Sequence, residues 1–446
     1  MELRSDESAK EFVTQTVREQ GVKFIRLWFT DILGNLKGFA ISPAQLEEAL
    51  ETGIGFDGSA IEGFARTDES DMVAVPDPST FAILPWRPKE SGVARIFADI
   101  KTPEQEYFDG DPRQVLKRNL NVAAESGYTF YVGPEMEYFY FKDSQDPTPL
   151  DTGGYFDQMP MDFASDLRRE TILTLEDVGI QAEYSHHEVA PSQDEIVLRY
   201  EDALTMADNC MTYQLVVKEV ARRHNVHATF MPKPLVNVNG SGMHTHQSLF
   251  IGDNNCFYDS DKPDNLSDIA LSYIAGLLHY APEFTSITNQ WVNSYKRLVP
   301  GFEAPIHVTW AKKNRSDLIR VPQITTSNPG SARIEYRAPD PACNPYLAFS
   351  VMLAAGLEGI KNNMKPPKPM DKNVFDMSQE ERKSAGIKDL PGSLHEALLL
   401  TEDSDFVRNA LGDHVFESFV KNKRIEWENY RSQVTDYEIQ RYLPVL

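Results

Sequence analysis

An α+β fold is what the sequence predicts, in two parts: a small unit over residues 1–105, then a larger one over 106–446 whose curved sheet lines a cavity and is backed by helices. Helix, strand and hairpin signals mix within the first hundred residues. From about residue 111 helical stretches alternate with strand-like ones, and those strands repeatedly set carboxylates and imidazoles on one face. Beyond residue 342 the pattern is mainly helical. Neither an internal repeat nor a low-complexity segment interrupts it.

The elements follow in order. An opening helix runs to about Gln20, then come the strand-like VKFIRLWFTD (22–31) and a hairpin at LGNLKGFAI (33–41). Pro43 opens a helix, with Ser42 and Gln45 spaced as a capping box and Gly53 as its stop. Turn residues and acids crowd KTPEQEYFDGDPRQ (101–114), which puts the boundary between the two units near residue 105. Asp111 then caps a helix with Pro112 in its first turn and Gly127 past its end, followed by two strands, YTFYV (128–132) and EMEYFYF (135–141). Helices are expected at about 164–179 and 202–224, and strands at IQAEYSHHEVA (180–190), HATFMPKPL (227–235) and SGMHTHQSLFI (241–251).

A net charge of −23, from 44 basic and 67 acidic residues, argues against nucleic acid or an anionic membrane as the main partner. Cys210, Cys256 and Cys343 are far apart and form no CxxC pair, so neither a disulfide framework nor a thiolate zinc site is expected. The opening MELRSDESAKEF lacks the apolar core of a signal peptide, and no apolar run approaches the roughly 18 residues of a spanning helix. A soluble protein of the reducing cytoplasm is expected.

Chemistry gathers on a few strands. In GPEMEYFYF (133–141) alternation puts Glu135 and Glu137 on one face, with Met136, Tyr138 and Tyr140 on the other. Two like charges so close on a half-buried strand are costly unless that face opens to water or meets a metal ion or a substrate cation. Glu188 and Glu195 border apolar positions in HHEVAPSQDEIVL, His244, His246 and Ser248 share a face in GMHTHQSLF, and ARIEYRAPDP sets Glu335 beside Arg333 and Arg337. Each fragment alone has a bland account, as a satisfied core histidine or a salt bridge. Together they make an oxygen-rich set with occasional imidazoles, which suits Mg²⁺ or Mn²⁺ and holds enough acids for two ions. Residues 294–339 supply a positive island, with Lys296, Arg297, Lys312, Lys313, Arg315, Arg320, Arg333 and Arg337 against Glu303, Asp317 and Glu335. Guanidinium groups grip phosphate and carboxylate bidentately, so a nucleotide plus a carboxylic acid fits, with a solvated basic face as the alternative. The NGSG at 239–242 is not a Walker A loop, no GxGxxG opens a helix, and neither GxSxG nor a Cys/His pair offers a nucleophile.

With these residues in view the chain resembles a type I glutamine synthetase over nearly its whole length. Seven blocks carry the resemblance in order: GFDGSAIEGF (55–64), GPEMEYF (133–139), SHHEVAPSQDEI (185–196), NGSGMHTHQSLF (239–250), NSYKRLVPGFEAP (293–305), NRSDLIRVP (314–322) and RIEYRAPDPACNPYLA (333–348). The resemblance implies that ATP phosphorylates the γ-carboxylate of glutamate and that ammonia displaces the phosphate. It also implies a β-grasp N-terminal domain and a catalytic domain whose mostly antiparallel sheet forms part of a barrel. By the same match Glu137, Glu188 and Glu195 hold one Mg²⁺ or Mn²⁺, and Glu135, His244 and Glu335 hold the second, on the ATP phosphates. Glutamate is implied to lie on Arg297 and the backbone of Asn239 and Gly240, while Arg315 and Arg337 face the transferred phosphoryl group. Glu183, His246, Ser248, Arg320 and Arg333 match ATP-contacting positions, Asp57 matches the ammonium site, and Glu303 the flap that closes on substrate. Two stacked hexameric rings are implied, with Asp57 delivered to the neighbouring subunit's site.

Some positions depart from the family pattern. Asp194 stands where many relatives have histidine, Ala60 where they have a second serine, and Gly330 near a frequent lysine. Phe375, in KNVFDMSQEER, replaces the tyrosine that the adenylylated branch modifies, so the chain resembles the shorter, non-adenylylated branch. In that branch the arginine matching Arg66 takes part in glutamine feedback, and some members respond to 2-oxoglutarate or bind PII-family regulators. A γ-glutamyl-amine ligase of the same superfamily and a non-catalytic relative are the competing readings. Asp57 with Glu303 favours ammonium over the first, and six standing metal ligands disfavour the second.

Overall fold

The computed structural model describes residues 6–64, 71–312, 316–324, 326–370 and 373–446. Helix α1 (Asp6–Glu19) leads into a first sheet of β1 (Val22–Thr30), β2 (Leu36–Ile41), β3 (Ile54–Asp57), β4 (Asp71–Pro76), β5 (Ala82–Ile83) and β6 (Gly92–Lys101). The strand order is β2-β1-β6-β4-β3, with β5 on β6; β1 and β6 run parallel and the other pairs antiparallel. The central β6 is buried along nearly its whole length. The expected hairpin joins β1 to β2: Gly34 takes a left-handed φ of 81°, and the Asn35 N–H donates to the Asp31 carboxylate at 2.8 Å. The capping box expected at Ser42 does not form. Its side chain makes no cap bond, residues Pro43–Gln45 are a 3₁₀ turn, and Gln45 is the N-cap of α2 (Leu46–Thr52). The Ser-x-x-Gln spacing is spent on that turn.

After α3 (Pro112–Glu125), capped by Asp111 as expected, the chain builds a second sheet. Its elements are β7 (Thr129–Phe141), α4 (Ser165–Asp177), β8 (Ala182–His187), β9 (Gln193–Leu198), β10 (Glu201–Asp202), α5 (Ala203–Arg223), β11 (His227–Thr229), β12 (Met243–Ile251), β13 (Asn254–Asn255), α6 (Asp268–Thr288), α7 (Ser294–Arg297), β14 (Trp310–Ala311), β15 (Ile319–Arg320) and β16 (Ile334–Tyr336). The order is β14-β15-β16-β12-β7-β9-β8, with β10 and β11 on β7 and β13 on β12, and every pair is antiparallel except β14–β15. The two strands expected at 128–132 and 135–141 are one strand, β7. Pro134 falls in the gap between the residues that pair with β9 and those that pair with β10, where a missing N–H interrupts little. The strand expected at 227–235 shrinks to three residues. The mainly helical end comprises α8 (Pro345–Lys361), α9 (Gln379–Ser384), α10 (Leu394–Glu402), α11 (Asp405–Leu411), α12 (Asp413–Arg431) and α13 (Asp436–Tyr442). Among the described residues no helix is long and apolar enough to cross a membrane.

One apolar core runs from Val13 to Val420 through both sheets. A buried polar hub ties the sheets together as well. Arg113 on α3 forks onto Asp208 of α5 at 3.1 and 2.9 Å, and reaches Asp99 of β6 at 2.6 Å and Asp77 at 2.8 Å. The Tyr346 hydroxyl donates to Asp208 at 2.6 Å, and Lys117 pairs with Asp99.

Candidate active site

The pleat of β7 sorts its side chains as the alternation requires. Met136, Tyr138 and Tyr140 are buried in the core, while Glu135 and Glu137 line a cavity of about 140 Å³ on the other face. Cross-strand register assembles the rest. Glu137 stands opposite Glu195 on β9, which stands opposite His186 on β8. On the other side Glu135 stands opposite His244 of β12, His246 opposite Glu335 of β16, and Glu335 opposite Arg320 of β15. The acids and imidazoles thus form a continuous floor that no single segment encodes.

Two groups of ligand atoms emerge from that floor. Glu135, His246 and Glu335 make one, and His186, Glu188 and Glu195 the other, each within 4.8 Å of one another. His244 sits between them, its Nδ1 3.3 Å from Glu135 Oε2 and 3.9 Å from both Glu137 Oε1 and Glu335 Oε1. Burial together with Arg337 pushes His244 down to about 4, which keeps its imidazole neutral and free to ligate. Burial pushes Glu335 up, but the Arg337 guanidinium together with His246 and His244 outweighs it and holds the carboxyl at about 2; Arg320 and Arg337 both pair with it. Glu135 is likewise pressed upward by burial, yet hydrogen bonds from His244 and His246 hold it well below the usual range. The opposite half behaves otherwise. Burial and then Glu188 push Glu137 up to about 8, and Glu188 and Glu195 are also raised, with burial the main cause. Among the described residues no lysine or arginine lies within 4.0 Å of Glu137, Glu188 or Glu195. Three largely buried acids with no lysine or arginine in ion-pair contact, offering carboxylate oxygens beside an imidazole, fit a hard divalent ion.

The other expected residues fall around this floor. Asn239, Gly240, Arg297, Glu303, Arg320 and Arg337 line the same cavity. Arg297 is buried and directs its guanidinium onto the carbonyls of Arg337, Ala338 and Pro339. A Cβ at Gly242 would lie 2.6 Å from Arg297 Nη2 and 2.8 Å from His244 Nε2, so a side chain there would push both from their present places. Glu303 takes a left-handed φ of 54° and accepts from Asn239 Nδ2 at 3.2 Å. Glu183, His246, Ser248 and Arg333 line an adjoining cavity of about 320 Å³, together with Gly330 and Tyr200. Asp57 does not line either cavity; it is exposed at the end of β3 and accepts from Ser59. Arg66 and Arg315 lie outside the described residues. Asp194 points to the opposite face from Glu195, buried against Arg168 and Asp162, which explains why its departure from histidine leaves the floor intact.

Sequence reasoning missed His186, Gln193, Tyr155 and Tyr184, all of which line the cavity. The signal for His186 was its place two residues before Glu188; that for Gln193 was its place two before Glu195.

The profile described as "Glutamine synthetase, catalytic domain" matches residues 109–442, and "Glutamine synthetase, beta-Grasp domain" matches 21–103. The chain belongs to the glutamine synthetase family. A glutamine synthetase of Mycolicibacterium smegmatis is 54% identical over 440 residues, covering 97% of this chain and 99% of the relative. One from Methanosarcina mazei is 52% identical over 443 residues, 98% of each. A solved structure titled "GmaS/ADP complex-Conformation 1" superposes with a TM-score of 0.87 at 32% identity, covering 97% of this chain and 99% of that one. The first sheet is therefore a β-grasp domain and the second the curled half-barrel of the catalytic domain. The activity is ATP-dependent synthesis of glutamine from glutamate and ammonia, by an enzyme of a family that uses ATP and divalent metal and is generally oligomeric.

Proposed function

We propose how this cavity carries out the ligation. Glu137, Glu188 and Glu195 hold one Mg²⁺ or Mn²⁺ and Glu135, His244 and Glu335 a second, with His186 and His246 close beside them. Ions of this kind, once bound, neutralise charge on a migrating phosphoryl group. Glu183, His246, Ser248, Arg320 and Arg333 take ATP, and Gly330 lines the cavity of His246 and Ser248 without a side chain to offer. Arg337 and Arg315 stabilise the transferred phosphoryl group as it reaches the γ-carboxylate, forming γ-glutamyl phosphate. Asn239, Gly240 and Arg297 hold glutamate in one pose, which for Arg297 means turning part of its guanidinium from its carbonyl partners toward the cavity. Asp57 binds ammonium and takes its proton, since only free ammonia attacks, and Glu303 shuts out water and accepts the proton shed by the tetrahedral adduct.

Exposure of Asp57 away from its own chain's cavities supports an assembly of two stacked hexameric rings in which it serves a neighbouring copy. Arg66 mediates glutamine feedback, PII-family proteins are partners to test, and Phe375 leaves no hydroxyl for adenylylation. Three free cysteines agree with a cytoplasmic setting. The boundary between the two domains falls at residue 105, between β6 and α3.

The observation that carries this reading is the split floor: an acid group paired with arginines beside one that, among the described residues, pairs with none. Phosphate release by the purified chain, with Mg²⁺ or Mn²⁺ and either ammonium or a panel of primary amines, tests it. Ammonium is expected to be preferred; preference for an amine would reassign the chain to γ-glutamyl-amine ligation. Glutamine inhibition that survives in Arg66→Ala would remove Arg66 from feedback.

A further inference from the structure

The metal-facing and glutamate-facing parts of the cavity meet at one buried amide. Gln193 opens β9 two residues before Glu195, on the same face, and is 1% exposed. Its Nε2 donates to Glu137 Oε2 at 2.9 Å and to the Gly240 carbonyl at 3.1 Å. The Ser241 hydroxyl lies at 3.5 Å, and Oε1 accepts from the Ala190 N–H at 3.3 Å. These partners fix the amide's orientation, because its NH₂ end faces a carboxylate and a carbonyl while its oxygen faces an N–H. Glu137 Oε2 also accepts from the Gly242 N–H at 3.0 Å. Two N–H donors therefore occupy one oxygen of Glu137, and Oε1 alone is turned toward His244 at 3.9 Å.

We infer that Gln193 is a positioning residue that sets Glu137 to offer a single oxygen to a cation and ties the carbonyl of the glutamate loop to that same carboxylate. The inference rests on the reading of Glu137 as a metal ligand and of residues 239–240 as the glutamate loop. Because one amide holds both, ordering Glu137 by a cation also orders Gly240, so metal and glutamate favour each other's binding, with equal coupling in both directions. ATP binds on the other side of the floor, against His246, Ser248 and Arg333, none of which Gln193 touches.

Gln193→Met keeps the volume and removes both donors. Free Mn²⁺ followed by electron paramagnetic resonance during titration of the intact oligomer, without nucleotide, gives the metal isotherm; steady-state assays give KM for glutamate and for ATP. One class of Mn²⁺ site should weaken by roughly 10–100-fold. Glutamate KM should rise by about tenfold or more, ATP KM should stay within about twofold, and saturating glutamate should no longer tighten Mn²⁺. An unchanged isotherm and glutamate KM overturn the inference, as does an equal rise in both KM values with a lowered Tm. Glu137→Gln is the control: if it too leaves the isotherm unchanged, the metal reading has failed, whereas a change there and none in Gln193→Met sinks only the role of Gln193. Should Gln193→Met not assemble, Gln193→Asn, which keeps the amide but cannot span both partners, decides by the same two readouts. Failure of both to fold assigns Gln193 to the core and removes the inference.

Discussion

Two clusters in this molecule each gather three largely buried carboxylates, and they are resolved in opposite ways. Asp77, Asp99 and Asp208 converge on Arg113, which reaches all three within 3.1 Å. Glu137, Glu188 and Glu195 converge on no arginine or lysine among the described residues, only on imidazoles. Burial presses upward on Asp77 at the hub and on Glu137, Glu188 and Glu195 in the cavity. At the hub Arg113, with Ser79 and Lys117, overcomes it, and Asp77 stays below the usual carboxylate range; in the cavity the more distant Arg297 and Arg337 do not, and Glu137 rises to about 8. The chain thus neutralises one cluster with its own guanidinium, and that cluster joins the two sheets. It gives the other no such partner, and that is the cluster proposed to take a cation from outside.

The largest test of this contrast is Arg113→Leu. It leaves Asp77 and Asp208 without an ion partner, Asp99 keeping only Lys117, and should cost about 3–5 kcal/mol in denaturant unfolding; a loss under about 1 kcal/mol would show that the hub does not hold the sheets together. Next comes the metal half. Mn²⁺ at about 100 times its Kd should stabilise the enzyme by about 2.7 kcal/mol. Glu195→Gln should forfeit most of that gain while its metal-free Tm stays level or rises, because the substitution removes the repulsion of Glu195 by Glu135, Glu137 and Glu188. A metal-free variant clearly less stable than the parent would contradict the claim that this cluster lacks an internal cation. Tyr346→Phe removes one donor to Asp208 and leaves Arg113 in place, so about 1.5 kcal/mol is expected from thermal or chemical unfolding.

The smallest effect separates the hub from an ordinary surface pair that also bridges the two sheets' domains. His414 meets Glu62 at 2.8 Å, with side chains 38% and 22% exposed. The hydrogen bond between them draws His414 up from 6.5 and Glu62 down from 4.5. Stability from the raised histidine is present below about pH 6.5 and is lost as pH climbs through its folded value; that from the lowered carboxyl is present above about pH 4.5 and is lost as pH falls through its folded value. The pair therefore contributes most near pH 4.5–6.5, and solvent screening limits it to a few tenths of a kcal/mol. His414→Gln should lower Tm slightly at pH 6 and not at pH 9. A larger loss at pH 9 would reverse the sign.

Much of this was legible from residues alone, where the information is local. Alternation in β7 put Glu135 and Glu137 on one face and Met136, Tyr138 and Tyr140 on the other, and that is where they lie. Asp111 capped α3 as its neighbours required. What escaped depends on pairing between distant strands. In the doublet His186–His187 the spacing to Glu188 only hints at which ring faces the acids; the register of β8 on β9 decides it, setting His186 opposite Glu195 and His187 opposite Asp194. Gln193 matters only because β7 and the loop at 240 reach it from different parts of the chain. The Ser42 capping box failed for a local reason, since Pro43 begins a 3₁₀ turn that delays the helix to Leu46.

The pairing of β12 on β7 has a consequence for how activity first appears as the chain folds. Glu135 and His244 touch across 109 positions of sequence. Sliding β12 by one residue would turn His244 and His246 into the core and expose Met243 and Thr245 in their stead. A fragment that stops short of β12 lacks His244 and His246 and so the middle of the cavity floor. Turnover during refolding is therefore a late, all-or-none signal that long-range strand alignment has been reached.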